Sequence, residues 1–208
     1  MKKQNDALQK AFSIQAFPTL MLCDSDGRPY SEAGFPDEMT PKGMQATLDK
    51  ARKVKAERDA LFAKAAEAEG TAKAELLVKA LGVVPQAAVP SAYSKTVDQI
   101  AKLDPEDKSG FVKKVRTQQA LANLESGFGD LMEAEKIDEA VKYIDDFIAE
   151  HKPEGESKQK ALLFKVFGLA SKENYDDAIK VADEIIKIDG RTQTAAMVSQ
   201  IKRQLQNQ

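Results

Sequence analysis

The sequence predicts a mainly α-helical protein with one short β segment near its start. Three observations carry this. Through most of the 208 residues, apolar side chains recur at helical spacing between Gly, Pro and Asp punctuation. One run, Thr19 to Cys23, carries no charge and is followed by turn residues. In the last third a block recurs without a gap, Ile137 to Ile148 matching Tyr175 to Ile186 at an offset of 38 residues.

The β segment comes first. Thr19 to Cys23 reads as a strand covered on both faces, and Pro18 stands just before it, where a missing N–H breaks no ladder. Asp24-Ser25-Asp26-Gly27 supplies the turn, with Gly27 able to take positive φ. Pro29 to Phe35 is the weaker second strand of a hairpin. Thr40 then caps a long helix with Pro41 at its first position, running through alanine-rich sequence to Glu69 and ending at Gly70. Its apolar stripe is thin, so a connector is expected.

Leu76, Leu77, Ala80 and Leu81 mark the next helix, stopped at Gly82, and residues 83–90 read as an extended, proline-bounded linker. A helix from about Ser91 carries Tyr93, Val97 and Ile100. Asp104-Pro105-Glu106-Asp107 reads as a fresh helix start, with Gly127 and Gly129 loosening or ending that helix. Each copy of the repeat is then followed by a further amphipathic helix, over 160–171 and 191–205. Helix pairs of this kind bury their stripes by stacking on one another. The expected division is 1–69 and 70–208.

Composition narrows the function classes. With 42% hydrophobic and 31% charged residues and a net charge of −2, neither disorder nor a polyanion partner is indicated. Trp is absent and aromatics make up 6%, which argues against nucleic acid stacked on an aromatic platform. No apolar stretch approaches the ~18–20 residues that span a bilayer, so no membrane insertion is expected. Met1-Lys2-Lys3 is followed by Gln4-Asn5-Asp6 rather than an apolar core, so the sequence as given carries no export signal.

The chemistry-bearing residues are few. Cys23 is the only cysteine and sits on the strand, where it reads as a small core residue with a raised pKa. One thiol cannot form an intramolecular disulfide, so dithiol exchange within this chain is excluded. His151, the only histidine, stands at a helix end; one His and one Cys cannot assemble a soft-ligand zinc site. Asp24 to Gly27 lacks the glycine position and bidentate Glu of a calcium loop and reads as a turn. Carboxylates at Asp138, Glu139, Asp145 and Asp146 repeat at Asp176, Asp177, Asp183 and Glu184; a solvated helix face is the plain reading, an acidic groove for a basic peptide the sharper one. No catalytic residue, metal site or cofactor is assigned.

The residues from Asn5 to Phe12 (a helix), then Ser13 to Leu20 with Phe17-Pro18-Thr19, and the hairpin through Gly34 resemble the second half of a thioredoxin-like domain. The resemblance covers about the first quarter of the chain. It implies that Pro18 is cis, and that the backbone at Phe17 is the edge to which an extended peptide hydrogen-bonds. The Cys-x-x-Cys of the family's redox chemistry, and the βαβ segment before it, are missing here. Glu135 to Ala140 and Glu173 to Ala178 resemble the start of the second helix in tetratricopeptide-type repeats, whose period is about 34 residues, although the family's Trp and closing Pro are absent.

These readings imply a partial thioredoxin-like ββα segment followed by an α-helical, tetratricopeptide-like array. The expected function is a non-catalytic interaction or scaffold module that binds protein or peptide. The alternative is the C-terminal part of a thiol–disulfide oxidoreductase whose Cys-x-x-Cys lies upstream, which would allow a cell-envelope or periplasmic location. An uncharged strand edge is a template for pairing. Thr19 to Cys23 is therefore expected either to pair with its equivalent in a second molecule, giving a homodimer, or to be covered by the helices around Leu8 and Leu48, with the homodimer favoured.

Overall fold

A computed structural model describes residues 9, 12, 14, 19–34 and 40–207. Among them are one two-stranded antiparallel sheet and nine α-helices. The chain divides into two compact units, Met1–Arg116 and Thr117–Gln208. The expected division after residue 69 falls inside the first.

The hairpin forms from β1 (Leu20–Cys23) and β2 (Pro29–Ala33). Leu20 pairs with Ala33, Met21 with Glu32, Leu22 with Ser31 and Cys23 with Pro29, so Tyr30 is one residue extra on β2. That bulge twists the strand locally and re-aims the side chain beside it. The turn closes on the Asp24 carboxylate, whose Oδ1 accepts the amides of Asp26 and Arg28, both at 3.0 Å. Gly27 takes φ +77°, the conformation that makes glycine the residue for this position.

In the first unit, α1 (Pro41–Glu67) begins as expected, with Thr40 Oγ1 accepting the Gly43 amide at 3.1 Å. It packs against β2 and α2 (Gly70–Gly82). The stretch expected as an extended linker folds instead into a 3-10 turn (Gln86–Ala88) and the short α3 (Val89–Ala92). Val89 is helical, φ −59° and ψ −45°, although Pro90 follows it. Burial overrides that local bias: Val84, Ala88 and Val89 lie in the interior, and Gln86 Nε2 donates to the carbonyls of Leu81 and Val84 at 2.7 and 2.8 Å. Then follow α4 (Ser94–Leu103) and α5 (Phe111–Glu133). Leu77, Leu81, Val97, Ile100, Val112 and Val115 share one core cluster.

The helix expected from Asp104 starts seven residues later, at Phe111. Asp104 spends its carboxylate on the Lys108 amide, closing a local turn at 2.9 Å. Asp107, at φ 45°, instead accepts the amides of Val112 and Lys113 at 3.1 and 2.8 Å and so caps the helix. Nor do the glycines end α5, which runs through both. A Cβ at Gly127 would stand 2.7 Å from Tyr143 Cε1, so the glycine there admits a ring.

The second unit continues with α6 (Ile137–His151), α7 (Gly155–Ser171), α8 (Tyr175–Ile188) and α9 (Gln193–Leu205). The 38-residue period governs the geometry: α8 starts 38 residues after α6, and α9 starts 38 after α7. The turns repeat too. Glu135 and Glu173 both take φ 59°, and the Lys136 and Asn174 amides donate back to Leu131 and Leu169 at 2.9 and 3.1 Å. This backward bond satisfies carbonyls that a helix end leaves open. The buried faces correspond, Ala140, Ile144 and Phe147 of α6 against Ala178, Ala182 and Ile185 of α8.

Close approach fixes the packing here. A Cβ at Gly168 of α7 would lie 2.8 Å from Val141 Cγ2 of α6. Gln159, fully buried on α7, donates through Nε2 to the carbonyls of Ile185 and Asp189, both at 2.8 Å, and accepts from Thr192 Oγ1 at 2.9 Å. Thr192 in turn caps α9 by accepting the Ala195 amide at 3.1 Å. One amide side chain thus ties together three helices, with each of its hydrogen-bonding atoms occupied.

Candidate functional site

A connected group of polar side chains in the first unit surrounds Arg58. This residue lies on α1 at the middle of a small-residue stripe, Ala51, Arg58, Ala65, and only 2% of its surface is exposed. A guanidinium so deeply buried must have its charge and its N–H groups met. Nε and Nη2 donate to Asp59 Oδ1 at 2.9 and 2.6 Å. Nη1 lies 2.9 Å from the Tyr93 hydroxyl and 3.0 Å from Asp24 Oδ2. The Tyr93 O–H donates onward to the Pro29 carbonyl at 2.8 Å. The ring of Tyr30 lies 5.7 Å from the guanidinium carbon, a cation–π contact.

This network joins the hairpin turn, β2, α1 and the residue that leads into α4. Beside it lies an open cleft of about 470 Å³, lined by Asp24, Ser25, Arg28, Lys55, Arg58, Asp59 and Phe62. Its charges are already paired: Arg28 binds Asp24 and Asp26 at 3.1 and 2.9 Å, and Lys55 binds Asp59 at 2.5 Å.

Protonation follows from these contacts. Burial opposes ionisation of Asp24, but the Arg28 amide bond, the charges of Arg28 and Arg58 and the Asp26 amide outweigh it, holding the carboxyl below its ordinary value. Burial likewise works against Asp59, and the bonds from Lys55 and Arg58 still bring it down. Burial lifts Tyr93 above the usual phenol range against the counter-pull of Arg58. At neutral pH the cluster therefore holds fixed carboxylates, a charged guanidinium and a protonated phenol. Each is committed to a partner, so the arrangement fastens the hairpin to the helices.

Of the residues singled out in the sequence, Phe17 and Pro18 lie outside the described residues, as does most of the expected helix from Asn5 to Phe12. Cys23 is half-buried on β1, and burial, then the neighbouring Asp24 charge, push its thiol above the ordinary value, away from the reactive thiolate. His151 is exposed at the end of α6, its ring centroid 4.7 Å from that of Phe147. Asp24 to Gly27 forms a turn closed by its own carboxylate. Among the described residues, no group of three or more His, Cys, Asp or Glu side chains is placed to hold a metal ion. No helix of the described residues is long and apolar enough to cross a membrane.

The repeated carboxylates are largely neutralised by lysines. Asp145 pairs with Lys165 at 2.6 Å and Asp183 with Lys202 at 2.5 Å, each bridging successive helices from the equivalent carboxylate, with the lysines offset by one position in the repeat. Lys172 pairs with Asp138, Lys158 with Glu184 at 2.8 Å, and Lys142 with Asp146 at 2.9 Å. An acidic groove would need these carboxylates free. Among the described residues of this unit, the large apolar side chains left exposed are Phe167 on α7 and Met197 on α9, 38% and 44% exposed.

Sequence reasoning missed Arg58. The signal was present: Arg58 stands seven residues from Ala51 and from Ala65, so it shares their face of the helix. Tyr93 could not be linked to it, being 35 positions away. Compared with protein-family models, curated proteins and solved structures, the chain matches none.

Proposed function

We propose that the chain is a non-catalytic interaction module of the thioredoxin family, a partial thioredoxin-like ββα segment followed by a tetratricopeptide-like array that binds protein or peptide. The observation that carries the reading is the repeated helix–turn–helix geometry, with left-handed Glu135 and Glu173 and the same backward amide bond at each turn. Stacked helix pairs of this kind present side chains of successive helices on a shared surface. The β1–turn–β2–α1 order is the one the thioredoxin-like resemblance implies, and supports it.

Because the repeated carboxylates are paired with lysines, apolar contact is the expected mode of recognition, through Phe167 and Met197. Fluorescence polarisation against a library of labelled peptides tests this. The expected result is saturable binding by apolar-rich peptides that Phe167→Ser with Met197→Ser abolishes at unchanged melting temperature. Absence of any binding, or binding indifferent to both changes, would overturn it.

One observation favours a second reading, in which the chain is the C-terminal part of a thiol–disulfide oxidoreductase. Phe17-Pro18-Thr19 leads directly into a strand and a hairpin closed at Asp-Gly. Under this reading the longest natural reading frame reduces insulin while these 208 residues, with one thiol, do not. A reading frame without Cys-x-x-Cys removes it.

A further inference from the structure

We propose that the outer edge of β1 pairs with β1 of a second copy, joining two hairpins into one four-stranded antiparallel sheet about a two-fold axis. A two-stranded sheet has two edges, and here they differ. The β2 edge begins with Pro29, which has no N–H, and the Pro29 carbonyl already accepts the Tyr93 hydroxyl at 2.8 Å. Helix α1 packs against β2. Glu32 on β2 is exposed, so pairing that edge about a two-fold axis would bring like charges together.

Among the described residues, none of these blocks stands at Leu20 to Cys23. Leu20, Met21, Leu22 and Cys23 are uncharged, and all four are half-buried although alternate side chains face opposite sides of the sheet. Apolar surface is therefore left partly in water on both faces. Among the described residues, β2 is the only strand that pairs with β1.

The direction of the amides can be read from the turn. The Asp24 N–H donates to the Arg28 carbonyl at 3.0 Å, toward the second strand. Since successive residues of an antiparallel strand point their hydrogen-bonding groups to opposite edges, Leu22 and Leu20 face β2 while Met21 and Cys23 face outward. Outward residues pair only with outward residues across the axis. A register centred on Met21 sets Met21 opposite the partner's Met21 and Leu20 opposite the partner's Leu22. Centring on Leu22 instead brings Asp24 opposite the partner's Leu20. The Met21 register keeps the overlap uncharged, which suits a self-complementary two-fold contact and is why a second copy is the fitting occupant.

Sedimentation and disulfide trapping of the full chain test this. The wild-type chain is expected to sediment as a dimer. Met21→Pro removes an outward donor while leaving the hairpin's own ladder intact, and should raise the dissociation constant roughly tenfold to a hundredfold, two ladder bonds being lost per dimer. In a Cys23→Ala background, Met21→Cys should give an oxidised, disulfide-linked dimer, since the Cα atoms of a hydrogen-bonded pair lie about 5.5 Å apart, within disulfide range. Native Cys23, off the axis, should not cross-link. A monomeric wild-type chain overturns the proposal; if its Met21 amide is protected from exchange, the edge belongs to another segment of the same chain. Equal cross-linking at positions 21 and 23, or a Met21→Pro dimer as tight as wild type, also overturns it.

Discussion

The two units solve the same problem by opposite means. In the first, a two-stranded hairpin too small to be stable alone is tied to helices by a buried guanidinium reaching Asp24, Asp59 and Tyr93. In the second, successive helices approach through Ala140, Ala178 and Gly168, and one turn geometry is used twice. The first depends on contacts between distant positions, such as Tyr93 with Pro29, 64 residues apart. The second repeats local rules at a fixed period. A buried charge network gives specificity with little tolerance for losing a member, whereas stacked pairs spread their stability over many equivalent contacts.

The sharpest way to break this comparison is Arg58→Ala. It strips Asp24 Oδ2 of its buried cation, leaving the half-exposed Arg28, leaves the Tyr93 hydroxyl only the Pro29 carbonyl, and should cost about 3–5 kcal/mol. Hydrogen exchange should place the loss in the hairpin and α1 while amides of α6 to α9 keep their protection. If the change costs no more than Arg52→Ala, an exposed substitution six residues earlier on the same helix, the network does not hold the unit.

Acid should separate the units in the same direction. Asp24 has a folded pKa below its unfolded value, so its contribution is full above the ordinary carboxyl range, about 3.9, and is lost as pH falls through the lower folded value. Amide protection in β1 and β2 should therefore fall below about pH 4. Asp24→Asn should flatten that dependence; an unchanged acid profile would assign it to other carboxylates.

For the second unit, Ala140→Leu and Ala178→Leu should each cost on the order of 1–3 kcal/mol through overpacking. Lys142→Leu and Lys180→Leu, on exposed positions of the same helices, should leave the melting temperature nearly unchanged. Similar melting temperatures for alanine and lysine variants would dissolve the parallel between the helix pairs.

The smallest expected effect has the opposite sign. Glu135 and Glu173 hold left-handed backbone at φ 59°, which costs an L-residue roughly 1–2 kcal/mol. Glycine relieves that strain at some entropy cost, so Glu135→Gly and Glu173→Gly should each stabilise by no more than about 1 kcal/mol. Unequal responses at the two turns would show that the repetition is one of sequence more than of energetics.

Where side-chain chemistry acts on its nearest neighbours, the sequence alone determined the outcome. Gly27 in the hairpin turn, Thr40 and Pro41 at the start of α1, and the 38-residue offset between α6 and α8 all follow from contacts a few residues apart. Tertiary structure decided what those contacts leave undetermined. Val89 turned helical before Pro90 because its neighbourhood is buried, α5 ran through Gly127 because Tyr143 needed the space, and Asp107 displaced Asp104 as the cap. Arg58 is the clearest case. Its helical position was readable, but its burial was decided by Tyr93 and Asp24, distant in sequence and adjacent only once the chain has folded, because a charge enters the interior only where partners await it.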